Sequence, residues 1–323
     1  MKFQMFICHW LGIFLAVGCA VKAKSRSVEP NSNVDLMPRA QEIINQAPWC
    51  DNMPVYDGDN NVTRRPLCNG GDSMLWSGLL FYSWPDAKLG QAIRQSIAPN
   101  GKPYRSPEHL RGGDSVDEFS RDMYIGFLFY CLKSKDFETC SRVHEWTKSQ
   151  GYKLCGGEVS QCGLLPSVMY STYAVWDKNG WSIAPEFKPS SIEQGADAQA
   201  TFIETKTAPK GYRLHLVSLK VFLMNQVGRT GDYYLSAREL IKRQPENLWF
   251  QFVAYLTGES NDSQLGSISR ELSRKMAEWS YDASYSTDWY WQGRREVAHD
   301  GLGQDFVFLA CLVNGGCELT RQD

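Results

Sequence analysis

The segment Met123–Leu132 (Met-Tyr-Ile-Gly-Phe-Leu-Phe-Tyr-Cys-Leu) is apolar without a break. A helix that is apolar on every side has no face to offer water and must be enclosed by other elements. The chain enters this segment through Ser120, Arg121 and Asp122. A second stretch has the same plan: Gly70-Gly-Asp-Ser-Met-Leu-Trp-Ser-Gly-Leu-Leu-Phe-Tyr82. Here Gly78-Leu-Leu-Phe-Tyr82 aligns with Gly126-Phe-Leu-Phe-Tyr130, and an acid, Asp72, again leads the apolar run.

The pattern repeats along the chain. Further apolar segments lie at Leu164–Val175 (weaker), Leu214–Val227, Leu248–Leu256 and Phe306–Val313. Amphipathic segments alternate with them, spaced three and four residues apart as in surface helices. One carries Leu89, Ala92, Ile93 and Ile97; others span 137–150, 232–243 and 263–280, the last with Leu265, Ile268, Leu272, Met276 and Trp279. Leu36, Ile43 and Ile44 add a helix within Val34–Gln46. Residues 176–212 break the rhythm. Trp181, Ile183, Phe187, Phe202 and Ile203 are scattered among Gly, Pro and Ser there, which predicts an insertion loop or a small hairpin.

Apolar and amphipathic segments alternating at roughly 35–50 residue spacing predict an all-α chain built of helical pairs. The expected architecture is an (α/α)6 toroid of about six helical hairpins. Buried inner helices would be ringed by half-exposed outer ones, in a single domain over 35–323 with an insertion near 176–212. An irregular bundle or a helical repeat is the competing all-α arrangement. In this layout, over nearly the whole mature chain, the sequence resembles the six-hairpin glycosidase-like superfamily. No stretch matches the catalytic motif of one glycosidase family.

The first residues predict export. Lys2 gives a positive start, Met5–Gly18 is mostly apolar but too short for a final membrane anchor, and Val21-Lys-Ala23 suits cleavage before Lys24. Residues 1–23 therefore read as a signal peptide and 24–34 as a flexible polar segment. Leu15-Ala-Val-Gly-Cys19 is a degenerate lipoprotein box and offers a lipid anchor at Cys19 as an alternative. No later run is long and apolar enough for a transmembrane helix. Eight cysteines follow residue 23, an even count that suits disulfides in an exported chain. Their order suggests the local pairs Cys50–Cys68, Cys131–Cys140, Cys155–Cys162 and Cys311–Cys317. Metal binding competes poorly: no CxxC occurs, and no histidine is placed to complete a zinc pattern.

Formal net charge is −2, which gives no electrostatic reason to bind nucleic acid. Aromatic residues make up 13% of the chain and include 11 Trp, which suits a sugar-stacking surface as well as a core. No cofactor is expected: HExxH, P-loop, GxSxG and dinucleotide fingerprints are all missing. Asp57-Gly-Asp-Asn-Asn61 is spaced like a calcium loop, but Val62 stands where an EF-hand needs Gly. We read it as a turn-rich loop.

The resemblance implies an active site where the inner helices begin. Two carboxylates on different helices there would suit glycoside cleavage, one donating a proton to the leaving oxygen, the other activating water or attacking the sugar. Asp72 and Asp122 are the candidates. Asp is also a strong helix N-cap, and for Asp72 that reading stands beside the catalytic one. Ser115-Val-Asp-Glu118 fits a capping box and would place Asp122 two turns inside its helix, too deep to cap it. A helix starting at Ser120 would instead leave a dipole role. Arg105 and Arg121 could grip an anionic substrate group. Trp289 and Trp291 could stack on sugar rings, and His299 and Asp300 precede the last apolar run; Asp305 is a third mouth carboxylate. His215, inside an apolar segment, reads as a buried structural residue.

The expected function is an exported glycoside hydrolase acting on a polysaccharide or oligosaccharide. A polysaccharide lyase, with His299 or a tyrosine as base and Arg121 or Arg105 on a uronate, is one rival. A non-catalytic glycan-binding envelope protein is the other.

Overall fold

The computed structural model describes residues 34–47, 49–54, 73–112, 119–154, 166–182, 188–258, 262–279 and 303–321. Within them lie thirteen helices and one short hairpin, so the chain is all-α in character. In order these are α1 (Met37–Gln46), β1 (Trp49–Cys50), β2 (Met53–Pro54), α2 (Ser73–Ser83), α3 (Ala87–Gln95), α4 (Pro107–Gly112), α5 (Arg121–Ser134), α6 (Phe137–Ser149), α7 (Pro166–Asn179), α8 (Ser191–Thr207), α9 (Tyr212–Gln226), α10 (Thr230–Arg243), α11 (Leu248–Leu256), α12 (Asp262–Glu278) and α13 (Gln304–Val313). The antiparallel strands turn at Asp51 and Asn52, both with positive φ, a conformation these two residue types tolerate in tight hairpins.

The unbroken apolar runs become enclosed helices, as their composition requires. Every residue of α2 except Tyr82 is buried, and α5 is buried from Asp122 to Leu132. The segments with helical periodicity become two-faced helices. In α3 the buried residues are Leu89, Gly90, Ala92 and Ile93. Asp86 caps its start, accepting a hydrogen bond from the Leu89 amide at 2.7 Å.

Side-chain contacts fix how the enclosed helices run. Gly78 and Tyr82 of α2 meet Gly126 and Phe129 of α5, so the two helices are parallel. Tyr124 and Cys131 of α5 pair with Thr172 and Asn179 of α7, at 3.4 and 3.0 Å, again in the same direction. Ser218 and Asn225 of α9 accept from and donate to Trp249 and Leu256 of α11, at 2.7 and 3.3 Å. Just past α2, the Trp84 indole donates to the Leu319 carbonyl just past α13, so these two helices end together. The helices α2, α5, α7, α9, α11 and α13 therefore start at one end of the molecule and finish at the other.

Phe222 of α9 marks their common centre. It lies against Tyr82 of α2, Phe129 of α5, Trp249 and Phe252 of α11, and Phe308 of α13, with centroids 5.0–6.4 Å apart. These separations suit stacked and edge-to-face aromatic packing. Around this interior, α1 packs on α12 and α13, α3 on α2, α8 on α7 and α9, and α10 on α9 and α11. Disulfides Cys131–Cys140 and Cys311–Cys317 form as expected. Cys50 is also disulfide-bonded, while its expected partner Cys68, with Cys155 and Cys162, lies outside the described residues.

The expected loop or hairpin over 176–212 is overturned. Its first residues finish α7, and Ser191–Thr207 is α8, a full helix. The buried face of α8 is Asp197, Ala198, Thr201 and Thr205, while Ile192 and Ile203 point to solvent. A polar and small buried face leaves no apolar period to read. One local signal was present: Ser190-Ser-Ile-Glu193 forms a reciprocal capping box at the helix start. The other correction concerns α5. It begins at Arg121 with Ser120 as its N-cap, so Asp122 lies in the first turn rather than two turns deep.

The closest approach in the interior gives a test. A Cβ on Gly78 would lie 1.8 Å from the Gly126 carbonyl oxygen, and one on Gly126 would lie 2.4 Å from the Leu75 Cα. Both obstacles are backbone and cannot rotate away. Gly78→Ala and Gly126→Ala should each cost about 3 kcal/mol or more in denaturant unfolding, the upper end of overpacking penalties. Gly195→Ala is the control. It sits within α8 with nothing near its Cβ direction and should stabilise by about 0.5–1 kcal/mol.

Candidate functional site

Helical spacing shows which residues look into the shared interior above the aromatic centre. Phe129, Phe222 and Phe308 face that centre. Positions seven or four residues earlier on the same helix lie on the same face. Those positions are Asp122 on α5, His215 on α9 and Gln304 on α13. Seven residues correspond to a rise of roughly 10 Å, so Asp122 and His215 stand at about the same height above the aromatic floor. Asp305 adjoins Gln304. All four are enclosed, with exposures of 3% for Asp122, 1% for His215, 1% for Gln304 and 2% for Asp305. At this end α5, α9 and α13 thus contribute polar side chains, while the same spacing places the apolar Leu75 of α2 and Leu248 of α11 there, above an aromatic middle.

This end contains Asp122, one of the two expected catalytic acids. Asp72, the other, lies outside the described residues, although Ser73 beside it in sequence opens α2 at the same end. Trp289, Trp291, His299 and Asp300 also lie outside the described residues. Arg121 is the first residue of α5 and half-buried; Arg105, half-buried, sits in the connection between α3 and α4. His215, read from sequence as structural, shares this end with Asp122. Its ring lies 6.2 Å from that of Trp249, and burial holds its pKa well below the ordinary histidine value. It is therefore neutral at neutral pH and able to act as a hydrogen-bonding group rather than as a cation.

A second buried polar system links α8, α9 and α10. Lys220 Nζ donates to Asp197 Oδ1 and to Thr201 Oγ1, both at 2.8 Å, and the Tyr233 hydroxyl donates to Asp197 Oδ2. Burial pulls the Lys220 amine down in pKa, opposed by Asp197, and burial with the neighbouring Asp197 carboxylate pushes the Tyr233 hydroxyl up. Asp197 borders a groove of about 390 Å³ between α7 and α8, lined also by Tyr170, Glu193, Ala196, Ala200 and Glu204. Both Asp197 oxygens are engaged within the protein. The cluster thus ties an outer helix to an inner one instead of presenting a reactive group. At the far end of α8, Arg243 of α10 donates to the Thr205 and Ala208 carbonyls at 2.7 and 2.6 Å, completing the attachment. Nothing in the apolar pattern points to these residues: Lys220 is a single charge within the Leu214–Val227 run, and Asp197 and Thr201 lie in the stretch expected to be a loop or hairpin.

Among the described residues, no three His, Cys, Asp or Glu side chains group to hold a metal ion, and no helix is long and apolar enough to cross a membrane.

Two stability measurements follow. Lys220→Met leaves Asp197 buried without its counter-charge and should cost about 3–5 kcal/mol, whereas Lys220→Met with Asp197→Leu should recover most of that loss. His215 is neutral when folded but gains a proton in the unfolded chain as pH falls through about 6.5. The unfolded state then binds more protons, so stability falls with falling pH. This one group therefore lowers stability progressively as pH falls below that point. Unfolding at pH 7 and pH 5 should show a smaller acid loss in His215→Leu than in the wild type.

No protein-family model matches the chain, no curated protein is similar to it, and no solved structure matches it.

Proposed function

We propose that the chain is an exported glycoside hydrolase built as an (α/α)6 toroid, with Asp122 and Asp72 as its acid/base pair. The carrying observation is Asp122 itself: an enclosed carboxylate in the first turn of an interior helix, at the end where His215, Gln304 and Asp305 are also enclosed. In glycoside cleavage one carboxyl group protonates the leaving oxygen while the other, ionised, activates water or attacks the sugar carbon. The roles of Asp122 and Asp72 are interchangeable in this reading. Asp305 is a third acid at the same end, and the neutral His215 would hold a substrate hydroxyl. Arg105 and Arg121 remain candidates for substrate contact, as do Trp289, Trp291, His299 and Asp300.

Several features support the toroid. Interior helices neighbour one another in chain order, α2 with α5, α5 with α7, α7 with α9 and α9 with α11, and α13 returns to α2. Their shared direction gives every interior helix its start at one end. A helix from the outer set follows or precedes each of them in sequence. Export is supported by the disulfides Cys131–Cys140 and Cys311–Cys317, which persist in oxidising compartments.

The test is a screen of purified protein on envelope and plant glycans with reducing-end detection. On the glycan cleaved, Asp122→Asn and Asp72→Asn should each lower kcat by about 10²–10⁴-fold while leaving the melting temperature within a few degrees of the wild type. Full activity in both variants overturns the assignment. Products absorbing in the ultraviolet without hydrolysis would mark a lyase, and binding without cleavage would mark a glycan-binding protein.

A further inference from the structure

At the polar end, one amide side chain leaves both of its hydrogen-bonding atoms unused. Gln304, the first residue of α13, is 1% exposed, and neither its Oε1 nor its Nε2 has a hydrogen-bond partner. Buried polar groups are almost always paired, because each orphan forfeits the bonds it made to water. Gln304 leaves a donor and an acceptor orphaned on one group. Its position gives them a direction: it shares a helix face with Phe308, which meets the central Phe222. The amide thus sits over the aromatic floor at the end that also holds Asp122, Asp305 and His215.

We infer that Gln304 binds adjacent hydroxyl groups of a neutral sugar ring at this end of the interior. This rests on the reading of that end as a carbohydrate site and narrows the ligand class within it. An amide presents a planar acceptor and donor side by side. Neighbouring sugar hydroxyls supply the matching donor and acceptor, and a sugar's apolar ring face suits the aromatic floor below. A uronate suits the place less well. Gln304 carries no positive charge to receive a carboxylate, and Asp122 and Asp305 belong to the same polar end. Engaging both amide atoms is an interaction available only to the ligand-bound protein, so the unmet hydrogen bonds become binding specificity.

The experiment uses a panel of methyl glycosides of glucose, galactose, mannose, xylose and N-acetylglucosamine, with methyl glucuronide and galacturonide as charged counterparts. Binding is measured by calorimetry and by thermal shift on the wild type, Gln304→Met and Gln304→Asn. Met keeps the length and apolar stem of Gln but cannot hydrogen-bond; Asn keeps the amide and shortens its reach. At least one neutral glycoside should bind the wild type more tightly than its uronate, and both substitutions should weaken it by about 10–100-fold, the loss of two hydrogen bonds. The melting temperature of unliganded Gln304→Met should hold or rise, since two orphan atoms are removed. The inference is overturned if Gln304→Met binds the neutral glycoside as well as the wild type does, if the uronates bind more tightly, or if no glycoside binds. Asp122→Asn separates this result from the hydrolase reading. Neutral-sugar binding that depends on Gln304, with no glycan cleaved by the wild type, would remove the hydrolase and leave the sugar site.

Discussion

Backbone meets backbone where α2 crosses α5. With a Cβ on Gly78 only 1.8 Å from the Gly126 carbonyl oxygen, the two helices are closer than any side chain would permit. Helices separated by ordinary side chains sit about 8–10 Å apart. Bringing two main chains into contact removes that spacer and lets flanking rings close over the joint: Tyr82 on Phe129 at 5.3 Å and Phe81 on Tyr130 at 5.1 Å. Because the glycines sit mid-helix, they give up about 1 kcal/mol each in helix propensity. The enclosed aromatic area around them outweighs that loss. Everything further along the interior is set from this pair: α5 positions α7, α13 returns to α2, and α9 reaches both through Phe222.

Phe222 turns a set of parallel helices into two compartments. Rings from four other interior helices converge on it, so the middle of the interior is filled. Polar groups one or two turns nearer the helix starts look over that floor. The opposite end has a polar layer of its own, with Tyr82 donating to Gln226 at 2.7 Å and Asn225 donating to Thr230 at 3.0 Å and to the Leu256 carbonyl at 3.3 Å. Those side chains are bonded to one another and to backbone. The two ends are therefore not equivalent, and the difference arises from which residues precede and follow each aromatic position.

Much of this was legible because apolar runs and helical periods report burial directly. The runs beginning at Met123 and Ser73 became enclosed helices, and the aligned glycines Gly78 and Gly126 turned out to face each other. What the patterns could not carry was burial achieved by polar side chains. The helix α8 attaches through Asp197, Thr201 and Thr205, while Ile192 is 82% exposed, so its hydrophobic pattern points the wrong way. Only its capping box announced it. Similarly, Ser115–Glu118 matched a capping box in sequence, yet α5 starts at Arg121. A four-residue motif constrains a helix start less than the enclosure of the residues behind it. His215 was rightly read as buried, but its company was hidden, because the residues it shares an end with come from α5 and α13, far away in sequence.

The two buried polar systems show how structural polarity can be told from polarity kept for a ligand. Asp197 sits 4% exposed and has both oxygens engaged, one by Lys220 and one by Tyr233, with Thr201 accepting a second bond from the amine. Its capacity is used up within the protein, and its removal would strand the lysine. Gln304 is as deeply enclosed, yet its amide engages nothing. A leucine or methionine there would give the same helix start without the desolvation cost of two orphan atoms, about 1–3 kcal/mol for each. Folding alone therefore does not account for an amide at that position, one turn before Phe308 on the same helix face. A ligand that supplies the missing donor and acceptor does account for it.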